Sequence, residues 1–249
     1  MRLALRVAAI LAGLIFCTTF HYLWKLLRLR PIWPQIFLGY AGACCGLRVR
    51  VEGAPLKHKV LVAANHMSWL DILALGGAVP VVFVARDDVK GWPLVGWAAG
   101  LNDTIFVARD ARSSVRGQAD ALREALAGGR ALALFPEGTT DGGDALLPFR
   151  PSLFASLFPP LAGVKVQPVA IDYGPGTKEV LWLGEEGFGA NAKRILSRPG
   201  AREVSLRFLA PIDPHEAGDR KALAARSQQE VAQALGASVE GGDPLYPAR

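Results

Sequence analysis

A chain of 249 residues, 51% of them apolar, has material for one large domain with an appendage and some to spare for a membrane. Twenty-eight Lys and Arg against 22 Asp and Glu leave a net charge of +6, which suits phosphates or acidic lipid headgroups; no basic run interleaved with aromatics is present, so a nucleic-acid partner is not expected. Cys17, Cys44 and Cys45 all lie in the apolar N-terminal region without metal-ligand or CxxC spacing, which argues against a disulfide framework or a metal centre and for a reducing, cytoplasmic setting.

Residues 7–24 read VAAILAGLIFCTTFHYLW, interrupted only by Thr18, Thr19 and His21. At about 18 residues this is the lower limit for a helix that crosses a bilayer. Tyr22 and Trp24 suit the interface. Lys25, Arg28 and Arg30 on one side, against Arg2 and Arg6 on the other, favour the C-terminal side as cytoplasmic. A cleaved leader and a buried soluble helix are the alternatives; no small-residue cleavage site precedes KLLRLR. The next segment, PIWPQIFLGYAGACCGL, is shorter and starts on proline, so it is expected in the interface or packed on the first helix. Residues 1–46 are read as a membrane anchor, 47–236 as the main domain and 237–249 as a loose tail.

After Gly46 short strand-like runs alternate with helical ones. LRVRVEG alternates with period two. KVLVAA, VVFVAR, TIFVAR, ALALFP, VQPVAI, EVLWLG and VSLRFL are further strand candidates, mostly continuous apolar runs of the kind covered on both faces. Helices are expected over residues 68–76, 114–127 (stopped by Gly128 and Gly129), 152–161 and 219–235. This order predicts an α/β fold: a mixed, largely parallel sheet of about seven strands flanked by helices. In such sheets sites gather beyond the C-terminal ends of strands. Four strand exits deliver Asn65-His66, Arg86, Arg109 and Pro136-Glu137-Gly138.

His66 and Asp71 lie in ANHMSWLD. Ser68-x-x-Asp71 is a capping-box pattern, with Asp71 in the first helical turn, and a capped helix start explains the stretch by itself. The same tight turn can also bring the carboxylate back to the imidazole. Asp71 would then fix the tautomer of His66 and leave the other ring nitrogen free as a general base. No GxSxG nucleophile pattern is present, so such a base would act directly on a substrate hydroxyl. In LFPEGTTDGG, Pro136 ends a strand and Gly138 permits close backbone approach to an anion.

Together these pieces resemble the glycerolipid acyltransferase family, the 1-acylglycerol-3-phosphate acyltransferases included. Asn65, His66, Ser68 and Asp71 match its NHxSxxD block, residues 135–139 its FPEGT block, and QPVAI its V-P-V/I strand. Arg86 stands for the basic residue of a VAK-x-E context. Ile105, Phe106, Val107 and Arg109 fit part of a G-x-I-F-I-D-R block, with Asp103 in place of its glycine and Ala108 in place of its aspartate. The likeness spans about residues 47–210.

The resemblance implies transfer of a fatty acyl group from acyl-CoA or acyl carrier protein to a lysolipid hydroxyl, with no other cofactor and no metal. His66 would be the base and Asp71 its orienting partner. Glu137, Gly138, Thr139, Arg109 and Arg86 would bind the acceptor, with Asn65 and Ser68 in support. It also implies a bacterial-type inner-membrane setting with the catalytic domain facing the cytoplasm. Lysophosphatidate is the first acceptor expected. Thr140 stands where the family often has a basic residue, and Asp103 adds negative charge to the block-two segment. Both features, with FPEGTT…LLPFRPSLF, make lyso-ornithine lipid, whose acceptor carries no phosphate, the alternative. A non-catalytic lipid-binding protein and a hydrolase that activates water are readings from other classes.

Overall fold

The computed structural model describes residues 1–29, 31–92, 94–107, 112–140, 145–184 and 186–237, the side chains of 112–118 excepted. Two helices, α1 (Arg2–Leu26) and α2 (Trp33–Cys44), precede an α/β unit. That unit runs β1 (Leu47–Gly53), β2 (Val60–Ala64), α3 (Leu70–Ala78), β3 (Val82–Arg86), α4 (Val95–Leu101), β4 (Ile105–Val107), α5 (Arg112–Ala127) and β5 (Ala131–Leu134). It continues through β6 (Lys165–Asp172), α6 (Thr177–Val180), α7 (Phe188–Ser197), β7 (Arg202–Phe208) and α8 (Arg220–Leu235).

The seven strands form one sheet in the order β1-β7-β6-β2-β5-β3-β4. All neighbours run parallel except β6 and β7, so the sheet is the mixed, largely parallel one expected. The central strands are buried along their length, which is why their sequences read as unbroken apolar runs. Side chains of β2 alternate between two cores. Val60, Val62 and Ala64 pack with Leu70 and Leu75 of α3 and Ile195 of α7. Leu61 and Ala63 pack on the other face with Leu126 of α5, Phe154, and Leu223 and Val231 of α8. Parallel pairing brings the ends of β2, β3, β5 and β6 to one edge of the sheet.

Local signals account for several boundaries. Asp219 caps α8, its carboxylate accepting from the Lys221 and Ala222 N–H groups at 2.8 Å each, and Gly236 ends the helix at φ +66°. Helix α5 ends before Gly128 and Gly129, as the sequence indicates.

Two expectations change. EVLWLG is not a strand: it covers the end of α6 and the coil after it, where Arg194 and Asn191 donate to the Leu181 carbonyl and the Trp182 N–H donates to Met67 O. Its apolar run comes from residues such as Val180 and Leu181 that pack into the core, without a ladder. The helix expected over residues 152–161 is a 3-10 helix, Pro151–Leu157, stopped by Pro159 and Pro160, which have no N–H to continue it. Helices α4 and α7 were not expected from sequence: α4 has seven residues, two of them glycine, and α7 has ten. The tail expected over 237–249 lies outside the described residues beyond Ala237.

Helices α1 and α2 form an antiparallel pair. Trp33 packs against Trp24, Phe20 and Phe16 at one end, with centroids 5.0–5.9 Å apart. Tyr40 donates to Ala9 O at 3.1 Å further along. Helix α1 has 25 residues and a mean hydropathy of 2.1, long and apolar enough to cross a membrane by length and composition. Its N-terminal turn is held to the α/β unit: Arg6 donates to the carbonyls of Leu196, Arg198 and Gly200 at 3.1–3.2 Å.

Helix α2 lies on α3 through backbone contact at glycines. A Cβ on Gly77 would stand 2.5 Å from Gly39 Cα and 2.7 Å from its nitrogen, whereas a Cβ on Gly39 would stand 3.5 Å from Gly77 Cα. Gly77→Ala should therefore destabilise the protein by about 1–3 kcal/mol through overpacking. Gly39→Ala should be neutral or stabilising by up to ~1 kcal/mol, since alanine is the better helix former. Denaturant titration of both variants in detergent checks this; equal losses would show that the α2–α3 contact does not depend on Gly77.

Candidate active site

The site lies at the end of β2. Ala64 closes the strand, and residues 65–69 turn into α3. Asn65 is buried and bridges to β6: its side-chain NH2 donates to Ile171 O at 3.0 Å, and its carbonyl oxygen accepts from Ile171 N–H at 2.7 Å. That pair takes the place of a ladder where β2 leaves the sheet, and it fixes where His66 emerges.

Asp71, on the first turn of α3, is 0% exposed. Its Oδ2 accepts from Met67 N–H at 2.7 Å, Ser68 N–H at 2.9 Å and His66 Nδ1 at 2.9 Å. The capping pattern is thus present in one direction: the carboxylate reaches back to the turn, while Ser68 Oγ accepts a long 3.4 Å bond from Leu70 N–H. The helix starts one residue later than the pattern suggests, with Trp69 at the N-cap. A carboxylate oxygen already taking two backbone donors acts as an acceptor, so the network assigns the proton to Nδ1 and leaves Nε2 as the basic nitrogen. Nε2 has no hydrogen-bond partner among the described residues, and the His66 side chain is 15% exposed, enough to meet a substrate.

Two contacts missed from sequence complete the setting of the ring. Phe135 stacks on His66, centroids 3.9 Å apart and planes within 13°. Tyr173, directly after β6, donates its hydroxyl to Asp71 Oδ1 at 2.7 Å. Tyr173 sits at a strand exit like the others, so the same positional rule could have found it.

Glu137 is 3% exposed, and both its oxygens are taken by backbone: Oε1 accepts from His66 N–H at 2.7 Å and Oε2 from Leu147 N–H at 2.9 Å. From sequence it was expected against the acceptor headgroup; in the structure it ties the turn after β5 to the turn that carries His66. Burial pushes its carboxyl up to about 7 from an ordinary 4.5; the two backbone N–H bonds pull the other way, and the Asp71 charge adds to the rise.

Gly138 has φ +72°, and a Cβ there would lie 3.1–3.3 Å from the Arg150 guanidinium. The group of the protein that approaches this glycine is the Arg150 guanidinium. Thr139 follows in the same turn. Thr140 donates to Trp182 O at 2.7 Å, a contact within the fold. Arg86 ends β3, two strands from β2, and its exposed guanidinium is paired with Asp88 at 2.5–3.2 Å, away from the His66 network. Arg109 lies outside the described residues. Asp103 precedes β4 at the opposite edge of the sheet and pairs with Arg130 at 2.8 Å, so its charge is not at the site. A cavity of about 440 Å³ opens beside the ends of β2, β5 and β6, lined by Asn65, Met67, Glu137, Ile171, Asp172 and Lys178 among others.

Glu137→Gln keeps the shape but offers one acceptor where two backbone N–H groups need it. It should destabilise the protein by about 1–3 kcal/mol. In the parent protein the folded-state carboxyl titrates above its unfolded value. Its contribution to stability is therefore complete below 4.5 and lost as pH rises through about 7, and the Gln variant should lack that slope. Thermal melting of both proteins between pH 4 and pH 9 measures it; parallel curves would contradict the assignment.

Comparison with known proteins agrees with this architecture. A family model described as Acyltransferase matches residues 47–172. A lyso-ornithine lipid O-acyltransferase of Rhodobacter capsulatus is 34% identical, covering 94% of this chain and 90% of that protein. A 1-acyl-sn-glycerol-3-phosphate acyltransferase of Neisseria gonorrhoeae is 33% identical over 76% of each chain. The crystal structure of the acyltransferase PlsC from Thermotoga maritima shares the fold, with a TM-score of 0.66 and 22% identity over 95% of this chain and 97% of that one. With its matched domain and the Rhodobacter capsulatus and Neisseria gonorrhoeae relatives, each at least 33% identical and covered over 76% or more of its length, the chain belongs to the acyltransferase family that includes the lysolipid acyltransferases.

Proposed function

We propose that the protein transfers a fatty acyl group from an acyl thioester of coenzyme A or acyl carrier protein to the hydroxyl of a lysolipid at a membrane surface, with His66 as general base. The observation that carries this reading is the 2.9 Å contact of His66 Nδ1 with a fully buried Asp71 carboxylate, which leaves Nε2 facing outward. Nε2 takes the proton of the acceptor hydroxyl as its oxygen attacks the thioester carbonyl carbon. The C–S bond then breaks, an ester forms, and the leaving thiolate recovers the proton from His66. The apolar α1 supports membrane association.

Lyso-ornithine lipid is the acceptor we favour, reversing the order expected from sequence. The relative with that name aligns along 94% of the chain, against 76% for the one named for 1-acyl-sn-glycerol-3-phosphate. Thr140 is spent on the Trp182 carbonyl, so the position often basic in the family offers no charge. Arg150, whose guanidinium lies against Gly138, is the cation beside the turn, and we assign it to an anionic group of the acceptor. Lysophosphatidate remains the second reading, because pairing of Asp103 with Arg130 removes one feature that weighed against phosphate.

An acceptor panel tests the reading. Purified protein in detergent, given a labelled acyl thioester, should form product with lyso-ornithine lipid at a higher kcat/KM than with lysophosphatidate. No product with any lysolipid would favour a lipid-binding protein, and acyl release at a comparable rate without acceptor would favour a hydrolase. His66→Ala should lower acyl transfer by about 10²- to 10⁴-fold while the protein still folds. Arg150→Ala should raise the acceptor KM roughly tenfold or more, the scale of one hydrogen bond to a charged group.

A further inference from the structure

We propose that Tyr173 is a positioning residue that sets the orientation and basicity of His66 through Asp71, an inference that rests on His66 acting as the base. The geometry is a three-member relay with one donor for each remaining need. Asp71 Oδ2 already serves His66 Nδ1 and two backbone N–H groups. Oδ1 has one donor among the described residues, the Tyr173 hydroxyl at 2.7 Å. Tyr173 is 3% exposed and Asp71 is 0% exposed, so water does not substitute readily for that donor.

Two effects follow from the bond. It fixes the carboxylate plane, so Oδ2 stays directed at Nδ1. It also draws negative charge toward Oδ1, which weakens the pull of Oδ2 on an imidazolium and keeps Nε2 from becoming too basic to release its proton to the leaving thiolate. Burial and the Asp71 charge push the tyrosine hydroxyl well above its ordinary 10, so it remains a donor throughout the working range. Other titratable groups face this pair. Glu137 approaches from the turn after β5 through the His66 N–H, and Cys45, at the end of α2, lies behind Tyr173. Both are common to the parent protein and the variant below, so differences between the two report on Tyr173.

Tyr173→Phe removes one oxygen and little volume. The acyl-transfer kcat should fall on the order of tenfold, the scale of one hydrogen bond to a charged group. The acceptor KM should stay within about twofold, because the bond acts on the base and not on binding. The acidic limb of the rate profile should move up in pH, since Oδ2 regains the charge shared with the tyrosine. The second measurement needs no turnover: an NMR titration of histidine-labelled protein in detergent, with the His66 resonance identified by its loss in His66→Ala. Its midpoint should rise by about half a pH unit in Tyr173→Phe. This readout survives even if no lysolipid is acylated, so failure of the proposed reaction and failure of the Tyr173 assignment are separate results. An unchanged midpoint and kcat, or a midpoint displaced downward, overturns the assignment.

Discussion

A carboxylate with no exposure to water must be surrounded by donors, or its burial costs more than the fold can tolerate. Asp71 meets that condition with two backbone N–H groups, an imidazole and a phenol, drawn from the β2–α3 turn and from the residue after β6. Much of the surrounding architecture serves this demand. The turn must be tight enough for the Met67 and Ser68 amides to face back toward the helix. Strand β6 must lie beside β2 for Tyr173 to reach, and the Asn65 bridge to Ile171 holds those two strand ends together. Capping a helix and orienting a base are thus one arrangement: the amides that a capped helix start presents are the ones that pin the carboxylate against His66.

Glu137 extends the same logic one strand further. Its two oxygens join the His66 amide to the Leu147 amide, so the turns after β2 and β5 are tied together. With Phe135 stacked on the imidazole, the FPEGT stretch supports the base from below before it contributes anything to an acceptor. A motif of this kind reads as binding chemistry in sequence, because a glutamate and a glycine beside a turn suit a ligand. In the structure the glutamate is spent on the protein's own backbone, and the glycine makes room for Arg150.

The central strands and α5 and α8 were legible because burial on both faces leaves unbroken apolar runs, and because Gly129, Asp219 and Gly236 mark helix ends. The closeness of His66 and Asp71 was legible as a possibility, since a capping pattern forces a tight turn. What sequence could not carry was partnership across strands. Nothing near position 71 names Tyr173, 102 residues away, and nothing near Gly138 names Arg150 as its neighbour. EVLWLG misled for the same reason: its apolar residues satisfy a core while its backbone bonds to Arg194 and Asn191, and only the fold reveals that exchange.

The clasp of Arg6 on the carbonyls of residues 196–200 bears on how α1 could sit against lipid. The first turn of α1 is fastened to the α/β unit, and its far end returns through α2, which is fastened to the same unit at Gly77. A helix tethered to one unit at its beginning, and again after a hairpin, cannot swing independently of that unit, and the hairpin tip around Trp24 and Trp33 is its far end. The distance from that tip to His66 is thereby a single dimension, set by a guanidinium and three carbonyls at one end and a glycine contact at the other.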